Sequence, residues 1–471
     1  MQRLPTKRVQ TVRRCLRVLS ASLVALVYAN MASRAVAEFM AGADISALEI
    51  LEDHGATYRD NGVAGNAIDI LHDHGMNWFR LRLFVNPNSA TDPFVVNDLN
   101  YTIALAQRAK AVGAKLLVDF HYSDTWADPA HQAKPAAWSS LSFANLVQRV
   151  HDYTRDAVST LAQAGVGPDM VQIGNEIANG MLWSSGNVWT GGTNNTGFNN
   201  LASLLNAGIA GAKEGAPVGA EPLIMIHHDQ GAKWATTSYF FDKLVARNVD
   251  FDVIGYSYYP KYHYTPSTGA GGIADLQTNL NNTANAYHKP VVIVETGFPS
   301  RGAQYEPDYE FDVSPTGQQQ FTGALVTALE HVPNGLGQGL FWWYPEARPA
   351  SGLSIWQDGR YGLFDQNGNL LPAANVFEQF LPPAIPGDFN SDGAVDAADY
   401  VTWRTGLGTT YTPADYETWR VHFGQTPAGS ANLAAEAAVP ESVGSLLIAM
   451  AAMTAAFRCR SDNRSPYLIK A

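Results

Sequence analysis

Met170-Val-Gln-Ile-Gly-Asn-Glu176 is a short, mainly apolar run that ends in an amide and a carboxylate. A second run, Pro290-Val-Val-Ile-Val-Glu295, also closes on a glutamate. Each reads as a buried strand, so the ionisable group that follows it projects into a mouth at the strand end.

Working outward, the same kind of run recurs at Phe39–Ala43, Asn77–Phe84, Lys115–His121, Leu223–His227, Phe251–Tyr256 and Gly339–Trp343. Amphipathic stretches separate them, among them Asn100–Val112, Phe143–Ala164 and Gly317–His331, with apolar residues at helical spacing. Eight β/α alternations in about 340 residues predict an α/β fold of the (β/α)8 TIM-barrel type. An open doubly wound sheet fits less well, because no glycine-rich phosphate turn follows the first strand. Polar and aromatic residues gather where the runs end: Arg80 and Arg82; Asp119, His121 and Tyr122; Asn175 and Glu176; His227, His228 and Asp229; Tyr256, Tyr258 and Tyr259; Glu295; Trp342 and Trp343. A barrel brings all these ends around one mouth, whereas an open sheet spreads them along an edge.

The ends of the chain differ from its body. A basic segment with Arg3, Lys7, Arg8, Arg13, Arg14 and Arg17 precedes the apolar run Val18 to Ala29 and an Ala35-Val-Ala37 site, as in an export signal. The 471-residue chain has a formal net charge of −12. Residues 1–37 hold seven basic and no acidic side chains, and residues 458–471 four basic and one acidic, leaving −22 for the body between. Such a body repels phosphate backbones, which argues against nucleic acid as a partner, but it does not repel a neutral polymer. Cys15 and Cys459 both lie in the terminal segments, so the body has no disulfide, thiol nucleophile or cysteine-ligated metal.

A pair of carboxyl groups in one mouth suits glycosidic cleavage. One protonates the leaving oxygen while the other attacks or stabilises the anomeric carbon of an oxocarbenium-like transition state. A nearby cation keeps such a second carboxylate ionised, and Arg80 or Arg82 reads either as that cation or as a barrel salt bridge.

The segments Gly42-Ala-Asp-Ile-Ser46, Gly75-Met-Asn-Trp-Phe-Arg-Leu-Arg82, Asp119-Phe-His-Tyr-Ser-Asp-Thr-Trp-Ala-Asp-Pro129, Pro168-Asp-Met-Val-Gln-Ile-Gly-Asn-Glu176, Asp252-Val-Ile-Gly-Tyr-Ser-Tyr-Tyr-Pro260, Val294-Glu-Thr-Gly297 and Gly362-Leu-Phe-Asp-Gln-Asn-Gly368 carry a resemblance. Over residues 40–380 the chain resembles glycoside hydrolase family 53, the arabinogalactan endo-β-1,4-galactanases. The resemblance implies a retaining enzyme acting on a galactan-type polysaccharide, with Glu176 as acid/base, Glu295 as nucleophile and no cofactor for catalysis. It also implies that Asn175 bonds the hydroxyl beside the anomeric carbon, and that Asp119, His121, Tyr258 and Trp343 line or shape the cleavage subsite. Arg80 and His228, from the same ring of polar groups, complete the expected substrate contacts. Trp126 and Trp138 read either as sugar-stacking platforms or as loop core. Where the family commonly has Trp-Glu-Pro on strand eight, this chain has Trp343-Tyr-Pro-Glu346, so its outer subsites are expected to differ. The alternatives are another β-glycanase of the same clan, acting on mannan, xylan or β-1,3-galactan, and a non-catalytic carbohydrate-binding protein of the envelope.

After Pro382-Pro383, Asp388, Asn390, Asp392, Asp396 and Asp399 occupy positions 1, 3, 5, 9 and 12 of an EF-hand-like loop, with Gly393 at position 6. This spacing predicts Ca2+ binding and resembles a dockerin loop. Ala398-Asp-Tyr-Val-Thr-Trp-Arg404 recurs as Ala414-Asp-Tyr-Glu-Thr-Trp-Arg420, but without a second acidic loop, which argues against a cohesin partner. Val439-Pro-Glu-Ser442, an apolar stretch to Phe457 and a basic end resemble a PEP-CTERM sorting tail, read by envelope sorting machinery. The expected organisation is an export signal (1–37), catalytic barrel (38–381), linker (382–387), small α-helical calcium-loop module (388–426), linker (427–438) and sorting tail (439–471). The protein is therefore expected to be secreted or associated with the cell envelope.

Overall fold

The computed structural model describes residues 38–90, 92–190, 196–303, 307–381, 385–390 and 392–426. The expected export signal, second linker and sorting tail lie outside the described residues. The chain divides into two compact units after Leu381.

The first unit is a closed barrel of eight parallel strands: β1 (Met40–Asp44), β2 (Trp78–Leu83), β3 (Lys115–Phe120), β4 (Met170–Ile173), β5 (Leu223–His228), β6 (Val253–Tyr258), β7 (Val291–Thr296) and β8 (Gly337–Trp343). Neighbours in sequence pair in space, and β8 closes on β1, where Met40 faces Gly339. The expected TIM barrel is thus the observed fold. Helices wrap it, several with side-chain caps for their unpaired first amides. Asp98 caps Leu99–Ala111, Ser142 caps Phe143–Gln163 and Ser314 caps Pro315–Glu330.

Alternation along the strands sorts two cores. Residues such as Phe79, Val118, Ile254 and Ile293 pack between strands and helices. Met40, Trp78, Leu117, Met170, Met225, Val253, Val292, Val294 and Phe341 form a separate apolar plug inside the barrel. Gly42 keeps room for that plug, since a Cβ there would lie 2.3 Å from the Phe341 ring. Side chains two or four residues further along each strand face the same interior but sit higher. They are Asp44, Arg80, Asp119, Gln172, His227 and Ser257, all buried and all polar.

Strand β7 breaks the alternation. Val292 and Val294 face inward, so Glu295 would follow Val291 and Ile293 toward the helices. In the pairing with β6, however, Tyr256 matches Ile293 and Ser257 matches Glu295, which leaves Val294 as an extra residue. This β-bulge re-aims Glu295 into the barrel.

The second unit contains helices Ala397–Gly406 and Pro413–His422, each opened by a capping box, Asp396 with Asp399 and Thr412 with Asp415. The sequence repeat takes physical form here. Trp403 packs on Tyr416 with ring centroids 5.2 Å apart, and Tyr400 on Trp419 at 5.3 Å.

Candidate active site

A cavity of about 680 Å³ opens among Asp44, Arg80, Arg82, His121, Trp126, Asn175, Glu176, Asp229, Tyr259, Glu295, Trp343 and other residues. It lies at the carboxyl ends of the strands, the end where barrels of this type build their sites. Both glutamates line it.

Glu295 is 6 % exposed. Its Oε1 lies 2.8 Å from Arg80 Nη1, and its Oε2 accepts a bond from the Tyr259 hydroxyl at 3.2 Å. Burial pushes its carboxyl above the usual range, and the Arg80 guanidinium draws it back. Glu176 follows Gly174, which has φ +84°, and itself sits in the left-handed region at φ 48°, ψ 53°. A non-glycine residue there costs about 1–3 kcal/mol, and such strain gathers at functional sites. Burial raises the Glu176 carboxyl well above its usual range, with Glu295 and Asp229 adding to the rise. The bond from Ser257 Oγ to Glu176 Oε1, 2.5 Å long, opposes it. Because the Ser257 proton points at Glu176, the Ser257 oxygen accepts from His227 Nε2 at 2.9 Å. His227 Nδ1 faces the Glu176 backbone N–H at 3.4 Å. Burial and the nearby Arg80 hold the His227 ring well below its usual pKa, so it stays neutral.

Arg80 makes four hydrogen bonds and one further ion-pair contact. They reach Gln172 Oε1 at 3.3 Å, Asp44 Oδ2 and Glu295 Oε1 at 2.8 Å, Asp119 Oδ2 at 2.8 Å and Asn175 Oδ1 at 2.9 Å. Arg80 lines the cavity but spends these contacts on protein groups, and it is the cation beside Glu295. Asp119 is fully buried, does not line the cavity and is bonded to Arg80, Gln172 and His121, so it shapes the site through them. Burial works to raise its carboxyl, but Arg80 and His121 prevail and hold it below the usual range. His121 lines the cavity, yet its Nδ1 accepts the Ala127 amide and its Nε2 meets Asp119 at 3.0 Å. Asn175 gives one amide hydrogen to Ala127 O, and the other has the cavity beside it.

Two expected contacts point the other way. His228 packs on Phe240, Phe241 and Tyr256 between strand and helix. Tyr258 lies against Phe321 and His263 and bonds Gly271 O. The inward positions belong to their neighbours His227, Ser257 and Tyr259, because alternation runs from Met225 and Val253 in the plug. Of the three tryptophans, Trp126 and Trp343 line the cavity, and Trp138 is buried against Tyr153, so it is loop core. Trp126 is fixed by its bond to Asp92 at 2.8 Å and by the Arg82 guanidinium 4.4 Å from its ring. At the altered strand-eight motif, Tyr344 reaches the cavity. Glu346 is fully buried elsewhere, its Oε1 accepting the Ala47 amide at 3.0 Å and its Oε2 unpaired.

In the second unit, Asp399 Oδ1 accepts the amides of Phe389 and Asn390, and Asp396 N bonds Asp399 Oδ2. Asp388 Oδ2 accepts from Gly393 N, and Asn390 Nδ2 donates to Asp392 Oδ2. Among the described residues, no group of three or more His, Cys, Asp or Glu stands in position to hold a metal.

A parallel barrel with two glutamates of contrasted surroundings in one cavity at its carboxyl end has the make-up of a TIM-barrel glycoside hydrolase. The chain belongs to glycosyl hydrolase family 53, whose model matches residues 40–377. It is 39% identical over 325 residues to the probable arabinogalactan endo-beta-1,4-galactanase A of Aspergillus terreus, covering 66% of this chain and 87% of that protein. It is 37% identical over 316 residues to arabinogalactan endo-beta-1,4-galactanase A of Aspergillus niger, covering 64% of this chain and 84% of that protein. Among solved structures, one described with two fungal beta-1,4-galactanases matches with a TM-score of 0.63 and 34% identity, over 73% of this chain and all of that one. The Ignisphaera aggregans GH53 catalytic domain matches with a TM-score of 0.64 and 32% identity, over 72% of this chain and 95% of that one.

Proposed function

We propose that the protein is a secreted endo-β-1,4-galactanase that cleaves with retention of configuration. The contrast between the two glutamates carries this reading. Glu295 is ion-paired to Arg80 and suits a nucleophile, whereas Glu176 has no cation among its contacts with the described residues and is driven toward its protonated form. In the first step Glu295 attacks the anomeric carbon while Glu176 gives its proton to the glycosidic oxygen, and the leaving chain departs. In the second step Glu176 takes a proton from water, whose oxygen displaces Glu295. The second amide hydrogen of Asn175 holds the sugar hydroxyl beside the reacting carbon. Trp343 and Trp126 form the walls against which the ring stacks.

Galactan is supported as the substrate by the names of the relatives, and secretion by the basic and apolar residues before Ala37. The loop from Asp388 to Asp399 is proposed to bind Ca2+ in a dockerin-like module, and residues 439–471 to act as a sorting tail. Release of reducing ends from pure β-1,4-galactan, mannan, xylan and β-1,3-galactan tests the substrate. Activity on galactan alone is expected, and turnover of another polymer without galactan overturns the assignment.

A further inference from the structure

Trp189 and Tyr239 are large aromatics that the cavity does not use, and they are 59% and 46% exposed. Folding gains little from leaving such rings in water, and a paired aromatic patch marks a contact surface more often than scattered apolar residues do. The rings are nearly parallel, at 8° with centroids 6.2 Å apart. Both are held in place. Trp189 Nε1 bonds Asn179 Oδ1 at 2.9 Å, and Phe198, itself buried, meets Tyr239 edge-on at 5.7 Å.

The patch is tied to the catalytic cavity. Asn179 lies three residues after Glu176 on the same loop, and its Nδ2 donates to Pro129 O at 3.0 Å. Pro129 and Asp128 line the cavity. Trp189 is thus two hydrogen bonds from the cavity wall, on the loop after β4 that carries Glu176. Tyr239 comes from the helix Trp234–Val245, which follows the adjacent strand β5. A glycosidic oxygen protonated by Glu176 belongs to the leaving portion of the chain, so a surface on the Glu176 loop is on the side where leaving sugars can be met.

We propose that Trp189 and Tyr239 form a stacking platform for the leaving-group side of the polysaccharide, beyond the cavity itself. The apolar C–H face of a pyranose lies on the rings, as aromatic surfaces bind neutral sugars without charge. The inference rests on the galactanase reading.

The test uses the full chain with Trp189→Ala and Tyr239→Ala. Relative to the parent, kcat/KM on long β-1,4-galactan is expected to fall about 3- to 10-fold, in line with the worth of one aromatic contact. On galactotetraose it falls less, so the ratio of polymer to tetrasaccharide drops. Galactohexaose labelled at its reducing end is expected to be cut nearer that end, because fewer leaving sugars are gripped. An unchanged ratio overturns the platform, and so does an equal fall on both substrates, which reports a disturbed Glu176 loop. A lower ratio with an unchanged hexaose pattern places the rings off the leaving-group side and overturns the assignment. If the parent cleaves no galactan, the galactanase reading fails and this inference falls with it.

Discussion

Ser257 Oγ donates to Glu176 Oε1 across 2.5 Å, linking β6 to the loop after β4 over 81 residues of sequence. This bond lowers the Glu176 pKa, while the Asp229 charge raises it. If Glu176 must be protonated for the first step, its pKa sets the basic limb of kcat/KM. Ser257→Ala is expected to move that limb to higher pH, and Asp229→Asn to move it lower. Both are measured as pH profiles on galactan. Shifts in the same direction in the two variants would sink the assignment of Glu176 as the acid.

Glu176→Ala should lower turnover of polysaccharide by about 10²–10⁴-fold, the usual worth of a positioned acid. Azide added to Glu295→Ala should restore cleavage with inverted product, since the small anion enters from the side Glu295 has vacated. Azide added to Glu176→Ala should give product of retained configuration. NMR of the glycosyl azides decides it, and the opposite pattern exchanges the two roles.

Glu346 tests a buried carboxyl away from the reaction. Burial raises its pKa well above the usual range, with the Ala47 and Arg82 contacts opposing. A raised folded pKa means that this group's contribution is fully present below the unfolded value, near 4.5, and is lost as pH rises toward the folded one. Glu346→Gln retains the acceptor for Ala47 N and removes the ionisation. Its stability relative to the parent should therefore improve from pH 4 to pH 8, by on the order of 1 kcal/mol. Thermal unfolding at the two values measures this, and a difference that does not change with pH contradicts it.

Calcium titration of the full chain should show one saturable site, lost in Asp388→Ala and in Asp399→Ala, with galactan cleavage unchanged. Heat signals that persist in both variants would place any calcium elsewhere.

Several misplacements share one cause. In His227-His228 and Tyr256-Ser-Tyr-Tyr259, neighbouring residues are alike in polarity, so composition does not reveal which of each pair faces the barrel interior. Position relative to Met225 and Val253 does, but only once those are known to lie in the plug. Arg80 and Asp119 were recognisable as functional, yet their places at the site depend on partners drawn from β1, β3, β4 and β7. Asp44, Gln172 and Ser257 carried no separate signal, since a single polar residue in or beside a strand is ordinary.

Local chemistry was legible along the chain. Apolar runs of strand length separated by amphipathic stretches can bury their surfaces as a β/α barrel, and glutamates at two of their ends imply paired-carboxyl chemistry. The inward aim of Glu295 was not legible, because strict alternation turns it toward the helices. Only pairing with β6, which leaves Val294 as the extra residue of a bulge, brings it to Arg80 and across from Glu176. Register between strands is a property of the closed barrel, and no single strand contains it.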